Sequence, residues 1–239
     1  MRNWIDKHLD RLGGLLLPPR CVLCGSRGQV PCLDLCAGCE ASFEASNEPV
    51  LAGPEPLRRT CTPFAYAPPL DHLVHALKYR GQLATARVLG TLLAGWLAGR
   101  GLQHEVDVIV PVPLYPARHA ERGFNQSAEL ARQLGRDLHL PVVESLAVRR
   151  RATSPQVGLH LEERHSNLAG AFGAGPVAGL RVAIVDDVTT TGTTLRELAC
   201  VLVQAGACAV DAWCVARTDR GRIRPGARRE PSPPAGWMR

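Results

Sequence analysis

The sequence contains no apolar run approaching the roughly 20 residues that a membrane-spanning helix needs, so it predicts no membrane span. It also lacks a secretory signal pattern, because Asp6 and Asp10 interrupt the first residues and the apolar core at 15–17 is too short. Aromatic residues make up only 5% of the chain, which leaves no obvious platform for stacking a base. A Walker A loop is excluded because no Gly-Lys-Ser or Gly-Lys-Thr occurs.

Net positive charge is scarce outside the C-terminal tail. Residues 217–239 contain seven arginines against two acidic residues, a net charge of +5, so the remaining residues carry only +1 of the total of +6. The composition of this tail, rich in Pro, Gly and Arg, predicts disorder. Such a tail could contact nucleic acid or a membrane surface, although basic ends are more often simply solvated.

The nine cysteines are unevenly placed, with five of them within residues 21–39. Cys21 and Cys24 form one Cys-x-x-Cys turn, Cys36 and Cys39 form a second, and eleven residues separate the two. Two such turns predict a tetrahedral, structural Zn²⁺ site with no open coordination position. A redox-active Cys-x-x-Cys is the alternative, but that motif normally occurs once. Cys32 is a spare cysteine. The pattern favours a reducing cytoplasm.

A strand followed by acids and threonines is the most informative segment of the chain. The apolar run 182–185 predicts a buried strand that ends on Asp186 and Asp187, and a helical pattern starts near Thr193 or Thr194. Backbone N–H groups and hydroxyls between them can surround a phosphate at the positive end of the helix. The acids can accept hydrogen bonds from a sugar diol, which together points to a ribose 5-phosphate. The candidate ligands are Asp186, Asp187, Thr189, Thr190, Thr191, Gly192, Thr193 and Thr194.

Each part of this segment also has a simpler explanation. An Asp-Asp pair after a strand can form a turn or bind Mg²⁺ by itself, and threonines can cap a helix without binding a ligand. The two acids next to a continuous Thr-Thr-Gly-Thr-Thr run favour the phosphoribosyl interpretation.

Two basic segments supply candidate anion ligands. Lys78 and Arg80 end a predicted helix and can reach phosphates, or they can stabilise the helix end alone. Arg118, Arg122 and the backbone near Gly123 lie in a predicted loop between the strand 106–110 and the helix 125–138. Guanidinium groups and free N–H groups suit a pyrophosphate.

The chain resembles the type I phosphoribosyltransferases and, more narrowly, the ComF family. The resemblance rests on the threonine-rich loop and on five further segments that occur in the order typical of the family. These segments are the cysteine cluster, 76–81, 111–114, 122–126 and the residues Arg151, Gln156, Arg164 and Phe172 with their neighbours. It implies a cytoplasmic bacterial protein with an N-terminal zinc ribbon, linked to DNA uptake in competent bacteria. It further implies Mg²⁺ bound with phosphoribosyl pyrophosphate (PRPP), and a mobile loop containing Arg151, Gln156 and Arg164.

The predicted elements favour an α/β fold with an open, mostly parallel sheet and helices on both faces. We expect an N-terminal helix and a small zinc ribbon with four cysteine ligands at 1–47, a phosphoribosyltransferase-like domain at 48–216 and the basic tail at 217–239. Ligands in such folds bind beyond the carboxyl ends of the strands, where Pro111 and Asp186 both fall.

Three functions follow from these features. The first is transfer of phosphoribosyl from PRPP to an unknown acceptor, with Asp186, Asp187, Arg118 and Arg122 as the reacting site. The second is a non-catalytic module that senses PRPP or a nucleotide and acts with a DNA-uptake partner or single-stranded DNA. The third is a zinc-dependent nucleic-acid protein whose sugar-phosphate site is vestigial. The sequence does not define the acceptor or the oligomeric state.

Overall fold

The computed structural model describes residues 19–29, 33–151 and 170–218. Its strands are β1 (Val50–Ala52), β2 (Arg59–Cys61), β3 (Phe64–Ala65), β4 (Val108–Pro111), β5 (Ala147–Arg149), β6 (Phe172–Ala174), β7 (Arg181–Thr189) and β8 (Ala209–Arg217). Six of them form a mostly parallel central sheet, with the main order β1-β2-β8-β7-β4 and with β3 also paired to β8. Among the described strands of this sheet, only β1 and β2 pair in antiparallel fashion. The mixed α/β prediction is confirmed.

Helices cover both faces of the sheet because the buried strands carry apolar side chains on each side. The helices are α1 (Ala37–Ala41), α2 (Leu70–Arg80), α3 (Leu83–Ala98), α4 (Pro116–Arg122), α5 (Gln126–Leu138) and α6 (Thr193–Gln204). Ala183, Val185 and Trp213 share an apolar cluster with α2, α3 and α5, whereas Val182 and Ile184 share another with α6.

A second, small antiparallel sheet, formed by β5 and β6, lies on the α6 side. The sequence predicts one strand over 142–148, but the chain there forms a 3-10 turn at Glu144–Leu146 before β5. Val142 makes only an isolated parallel bridge to Ile109 of β4. The segment that follows this bridge therefore leaves the main sheet.

Two further elements differ from the sequence-based prediction. Strand β7 continues through both aspartates to Thr189 because β8 pairs with it as far as Arg217. Residues 116–122, predicted as a loop, form the helix α4, which has Pro116 at its start and Gly123 in a left-handed conformation at its end. Both residues are standard helix-boundary signals.

The cysteine-rich segment packs directly on the α2–α3 side of the core. Leu35 is completely buried and Cys21 is 3% exposed, and both belong to the same apolar cluster as Leu89 and Leu93 of α3. Asp34 also forms an ion pair with Arg87 of α3. The segment is thus attached to the domain by apolar contacts and by charge.

Candidate functional site

The acid pair lies near the carboxyl end of β7, where each aspartate is held by a different element. Asp187 is 2% exposed, and its Oδ1 accepts a hydrogen bond from the backbone N–H of Val188 at 2.7 Å. Asp186 Oδ1 accepts hydrogen bonds from Ser127 Oγ at 2.8 Å and from the backbone N–H of Asp187 at 2.9 Å. Ser127 lies in the first turn of α5, so that helix fixes one carboxylate of the pair.

Lys78 supplies the opposite charge. Its Nζ lies 2.9 Å from Asp187 Oδ2, a contact that is an ion pair rather than a well-aligned hydrogen bond. Burial is the largest influence on the pKa of Lys78 and by itself would lower it, but the charge and contact of Asp187 and the charge of Asp186 together outweigh burial and raise that pKa. The lysine therefore stays protonated although its side chain is partly buried.

Asp186 has an unusual affinity for protons. Burial, and then the negative charge of Asp187, raise the pKa of Asp186 to about 7, although Lys78 and the Ser127 hydrogen bond act in the opposite direction. Two adjacent carboxylates in a buried place resist simultaneous ionisation. The pair can therefore change its total charge near neutral pH.

The threonine-rich loop connects β7 to α6. Thr189 is the last strand residue, Gly192 has a φ of 74° immediately before the helix, and α6 begins at Thr193, as the sequence predicts. The Oγ1 atoms of Thr191 and Thr193 lie 2.7 Å apart, so the loop is held by its own hydroxyls. Thr190 is exposed, and Thr191 and Thr194 are partly exposed. Backbone N–H groups at a helix start attract anions.

A positively charged cavity of about 210 Å³ lies between the C-terminal end of α2, which contains Lys78, and the helix α4 with the residues that directly follow it. Arg118 and Arg122 contribute two guanidinium groups, and Glu121 contributes one opposing charge. Arg122 Nη1 donates a hydrogen bond to Gln126 Oε1 at 2.7 Å. Its guanidinium also lies over the ring of Tyr79, 5.5 Å from the centroid. The cavity lining comprises Lys78, Tyr79, Gly81, Arg118, Glu121, Arg122 and Phe124.

Of the remaining predicted site residues, some adjoin the cavity and others lie outside the described residues. Gly123 ends α4 with a φ of 79°, and Arg80 is exposed at the end of α2. Neither residue lines the cavity, but both adjoin residues that do. Arg151 is the last described residue before 152–169, so Gln156 and Arg164 lie outside the described residues. The expected N-terminal helix, Cys32 and nearly all of the basic tail also lie outside them.

Several residues around the site are missed by sequence reasoning. Ser127 holds Asp186 by a hydrogen bond, and the sequence signal for this residue was the Asn-x-Ser pattern at the start of a helix. Asn125 accepts a hydrogen bond from the Ser127 N–H and donates one to the Val112 carbonyl. Arg149 is a second such residue: burial lowers its pKa, and the charge of Arg118 acts in the same direction, although the negative charge of Asp186 acts in the opposite one.

Two of the few aromatic residues lie at this site. Tyr79 is 66% exposed and its ring lies 4.7 Å from that of His75. Tyr66 is 38% exposed, and burial of its hydroxyl raises its pKa although the nearby charge of Lys78 acts in the opposite direction. The low aromatic content predicted no stacking surface, but Tyr66 and Tyr79 are exposed beside the charged groups.

The four predicted zinc ligands are brought together at the N-terminal segment. The Sγ atoms of Cys21, Cys24, Cys36 and Cys39 all lie within 4.8 Å of one another. Zn–S bonds of about 2.3 Å in a tetrahedron place sulfurs about 3.8 Å apart, and the Sγ atoms of Cys24 and Cys36 are 3.7 Å apart. This donor set and spacing fit Zn²⁺. Within the described parts of the chain, no helix is both long and apolar enough to cross a membrane.

Comparison with known proteins agrees with this geometry. Residues 88–230 match the phosphoribosyl transferase domain, which defines the class of the protein. DNA utilization protein YhgH of Escherichia coli (strain K12) is 42% identical over 206 residues, covering 83% of this chain and 90% of the relative. Competence protein F of Haemophilus influenzae is 33% identical over 208 residues, covering 83% and 85%. The chain belongs to the ComF family.

More distant relatives include competence protein ComFC of Bacillus subtilis, which is 25% identical over 204 residues and covers 83% of this chain and 78% of the relative. Among solved structures, the purine phosphoribosyltransferase of Pyrococcus horikoshii Ot3 aligns with 54% of this chain and 70% of its own, at 20% identity and a TM-score of 0.34. That score is too low to add to the assignment.

Proposed function

We propose that this protein binds Mg²⁺-PRPP, or a related ribose 5-phosphate, and transfers the phosphoribosyl group to a nitrogen acceptor with release of pyrophosphate. The observation that carries this proposal is the convergence of three features at one edge of the sheet. These are the acid pair Asp186–Asp187, the loop that enters α6, and the cationic cavity that shares Lys78 with the acid pair.

The acid pair would bind the 2′ and 3′ hydroxyls of the ribose. Asp186 already accepts two hydrogen bonds through Oδ1 and Asp187 accepts one through its own Oδ1. Their Oδ2 atoms are thus the positions left to a ligand, with that of Asp187 shared with Lys78. Carboxylates so restrained would orient the sugar without reorganising during the reaction.

The 5-phosphate would lie against the loop from Thr190 to Thr194. Here the positive end of α6 and the loop N–H groups favour an anion, and the left-handed conformation of Gly192 permits the close turn. The pyrophosphate would face Arg118, Arg122 and Lys78 in the cationic cavity, where fixed positive charge stabilises a leaving group.

In the transfer itself, the acceptor nitrogen forms a bond to C1 of the ribose as the bond from C1 to the pyrophosphate oxygen breaks. The acceptor's proton passes to solvent, because the described part of the site presents no dedicated base. Negative charge at Asp186 and Asp187 would offset positive charge that develops on the sugar ring. Bound Mg²⁺ would neutralise part of the pyrophosphate charge. Positioning and electrostatics would therefore supply the catalysis.

We keep Arg151, Gln156 and Arg164 as the predicted residues of a loop that would close over the bound ligand, and Gln156 and Arg164 lie outside the described residues. The cysteine cluster would hold a structural Zn²⁺ that fixes residues 1–47 on the domain at 48–216, with 217–239 as a basic tail. A reducing cytoplasmic location would suit these thiolates.

A second candidate function is favoured by the names of the relatives, which refer to DNA utilization and competence. In it, the same site senses PRPP or a nucleotide without turnover, and the protein acts with single-stranded DNA or a DNA-uptake protein. Both candidates share ligand binding at the acid pair. Pyrophosphate release in the presence of an acceptor distinguishes them.

The test is calorimetric titration of the full-length, zinc-loaded protein with PRPP, with and without Mg²⁺. We expect binding that requires Mg²⁺ and is lost in the Asp186→Asn/Asp187→Asn double variant. Asp137→Asn is the matched control, because Asp137 is an exposed aspartate towards the other end of α5. Absence of PRPP binding to the unsubstituted protein would contradict both candidates.

Binding would be followed by a screen of nitrogen nucleophiles, read by pyrophosphate release. Release with one acceptor supports the transferase, and binding without release across the screen supports the sensor. DNA affinity is measured in parallel at increasing salt. The predicted tail is 217–239, but Arg217 is the last residue of β8, so the truncation removes 219–239 only. Affinity that survives the double variant but weakens in this truncation would instead favour a nucleic-acid protein with a vestigial sugar-phosphate site.

A further inference from the structure

Lys78 neutralises the buried carboxylate of Asp187 from within the protein. Its side chain is 3% exposed, and the ammonium of Lys78 lies 2.9 Å from Oδ2. An ionised carboxylate at such a buried position is strongly unfavourable without a partner. Lys78 therefore acts as the partner of Asp187 that the diol of a ligand, or the cation bound with the ligand, would otherwise be.

The ligand and Lys78 compete for the same oxygen. Oδ1 of Asp187 already accepts the Val188 N–H, so Oδ2 is the atom on which an incoming group would have to bind. A divalent cation near the acid pair would also repel the ammonium. Occupation of the pair thus requires Lys78 to move or to share its partner.

Lys78 has a second position available. The same residue lines the cationic cavity with Arg118 and Arg122, and its side chain is one-quarter exposed, so it spans the two places. Lysine has a flexible four-carbon stem with three rotatable donors. Arg122, in contrast, is held by Gln126 and lies over the Tyr79 ring.

We propose that Lys78 is a reversible latch that neutralises Asp187 in the ligand-free protein and turns into the cationic cavity, onto the pyrophosphate, when a Mg²⁺-bearing ligand occupies the acid pair. This inference rests on the proposed function, because it assigns the two halves of PRPP to the two positions. Lys78 acts as a positioning residue for Asp187 and as a ligand of pyrophosphate. At Asp187, the positive charge of Lys78 is thereby replaced by that of the Mg²⁺ bound with the ligand.

The latch predicts opposite effects on two simple probes. In Lys78→Met, Asp187 loses its internal cation, so we expect Mn²⁺, as a spectroscopic substitute for Mg²⁺, to bind about tenfold more tightly. Sodium pyrophosphate in Mg²⁺-free buffer should bind about tenfold more weakly, because the cationic cavity loses the adjacent positive charge of Lys78. A purely structural lysine would weaken both, and a purely pyrophosphate-binding lysine would weaken only the second.

The controls separate charge from position. Arg136→Met removes one exposed positive charge towards the far end of α5, and it should leave both affinities within about twofold of the wild type. Lys78→Arg keeps the charge and should keep Mn²⁺ binding weak. Unchanged or weaker Mn²⁺ binding in Lys78→Met would overturn the latch.

A reciprocal variant gives an independent test if Lys78→Met folds poorly. Asp187→Asn releases Lys78 from its partner, so pyrophosphate alone should bind about threefold or more tightly than it does to the wild type. Equal or weaker pyrophosphate binding to a folded Asp187→Asn protein would overturn the proposal.

These probes also separate the latch from the proposed function. Reciprocal changes with Mn²⁺ and pyrophosphate, without any PRPP binding by the wild type, would support the latch and contradict the proposed function. PRPP binding without reciprocal changes would support the function and overturn the latch.

Discussion

Ser127 Oγ donates a hydrogen bond to Asp186 Oδ1 over 2.8 Å, and this contact joins the first turn of α5 to the acid pair on β7. The two residues are 59 positions apart in the sequence, so the restraint exists only in the folded chain. Ser127 is 1% exposed and has no direct route to a ligand, which makes it a support for Asp186.

Replacing Ser127 with alanine should therefore weaken PRPP binding without removing a ligand contact. We expect an affinity loss of about three- to tenfold at pH 7, the usual effect of one hydrogen bond. The hydrogen bond favours the ionised carboxylate, so its loss raises the pKa of Asp186 further, and the deficit should shrink as the pH increases towards 9. Calorimetry across this pH range provides the measurement.

Thr91→Ala is the matched control for that experiment, because the Thr91 hydroxyl donates to the carboxylate of Asp137 at 2.9 Å outside the site. It should leave PRPP affinity unchanged. Equal losses in the two variants would mean that the Ser127 effect reflects general destabilisation.

The raised pKa of Asp186 predicts that the acid pair reduces the stability of the fold at neutral and alkaline pH. The folded pKa of about 7 exceeds the ordinary value of 3.8, so the folded protein binds this proton more tightly than the unfolded chain does. The resulting stability is complete below pH 4 and is lost as the pH rises through 7. Asp186→Asn should thus have a higher melting temperature than the wild type at pH 8, by a margin that narrows towards pH 4.

Asp107 offers a control of opposite sign. Hydrogen bonds from Arg181 hold the pKa of Asp107 at about 2, so its stabilisation is present at neutral pH and is lost only in acid. Asp107→Asn should lower the melting temperature at pH 8. Destabilisation by both substitutions at pH 8 would refute the electrostatic account of Asp186.

The conformation of Gly192 should matter for both stability and phosphate binding. An alanine at a φ of 74° is disfavoured by about 1–2 kcal/mol. It would also shift the N–H groups that begin α6. We expect Gly192→Ala to reduce the free energy of unfolding by about that amount and to weaken PRPP binding, measured by denaturant titration and calorimetry.

Gly95 supplies the comparison, because it lies inside α3 and an added methyl group would meet no atom within 4 Å. Gly95→Ala should increase the free energy of unfolding by about 0.5–1 kcal/mol and should not affect PRPP binding. A neutral effect at Gly192 would show that its left-handed conformation is not required.

The cysteine cluster predicts one Zn²⁺ per chain. Cys24→Ser should abolish stoichiometric zinc, as measured by elemental analysis, and should lower the melting temperature because metal binding supplies folding energy to this segment. Cys208→Ser is the control, since Cys208 is exposed and lies outside the cluster. Zinc retained at full stoichiometry in Cys24→Ser would contradict the four-thiolate site.

The parts of the site that sequence reasoning identified are those encoded within a short segment. The strand, acids, threonines and helix start from 182 to 194 are contiguous, so their order alone predicted the loop before α6. The two Cys-x-x-Cys turns are similarly local. In both cases a few neighbouring residues contain the whole geometric signal.

The features that the sequence did not predict depend on distant partners. Nothing near Lys78 in the chain indicates that it pairs with Asp187, and nothing near Ser127 indicates its contact with Asp186. The short helix α4 is a different case, since Pro116 and Gly123 were visible boundary signals. Its seven residues bury no side chain, so the apolar periodicity that identifies longer helices was missing.

The central position of β8 has a consequence for synthesis of the protein. Strand β8 comes last in the described chain, and it joins β2 and β3 to β7. Strands β2 and β3 leave the ribosome early, and they therefore have no partner strand in the main sheet other than β1, which pairs with β2, until β8 has been translated. Their hydrogen-bonding edges stay open throughout that interval, when unpaired strands are prone to aggregate. A nascent chain that ends before residue 209 would consequently lack the strand that unites the two halves of the sheet.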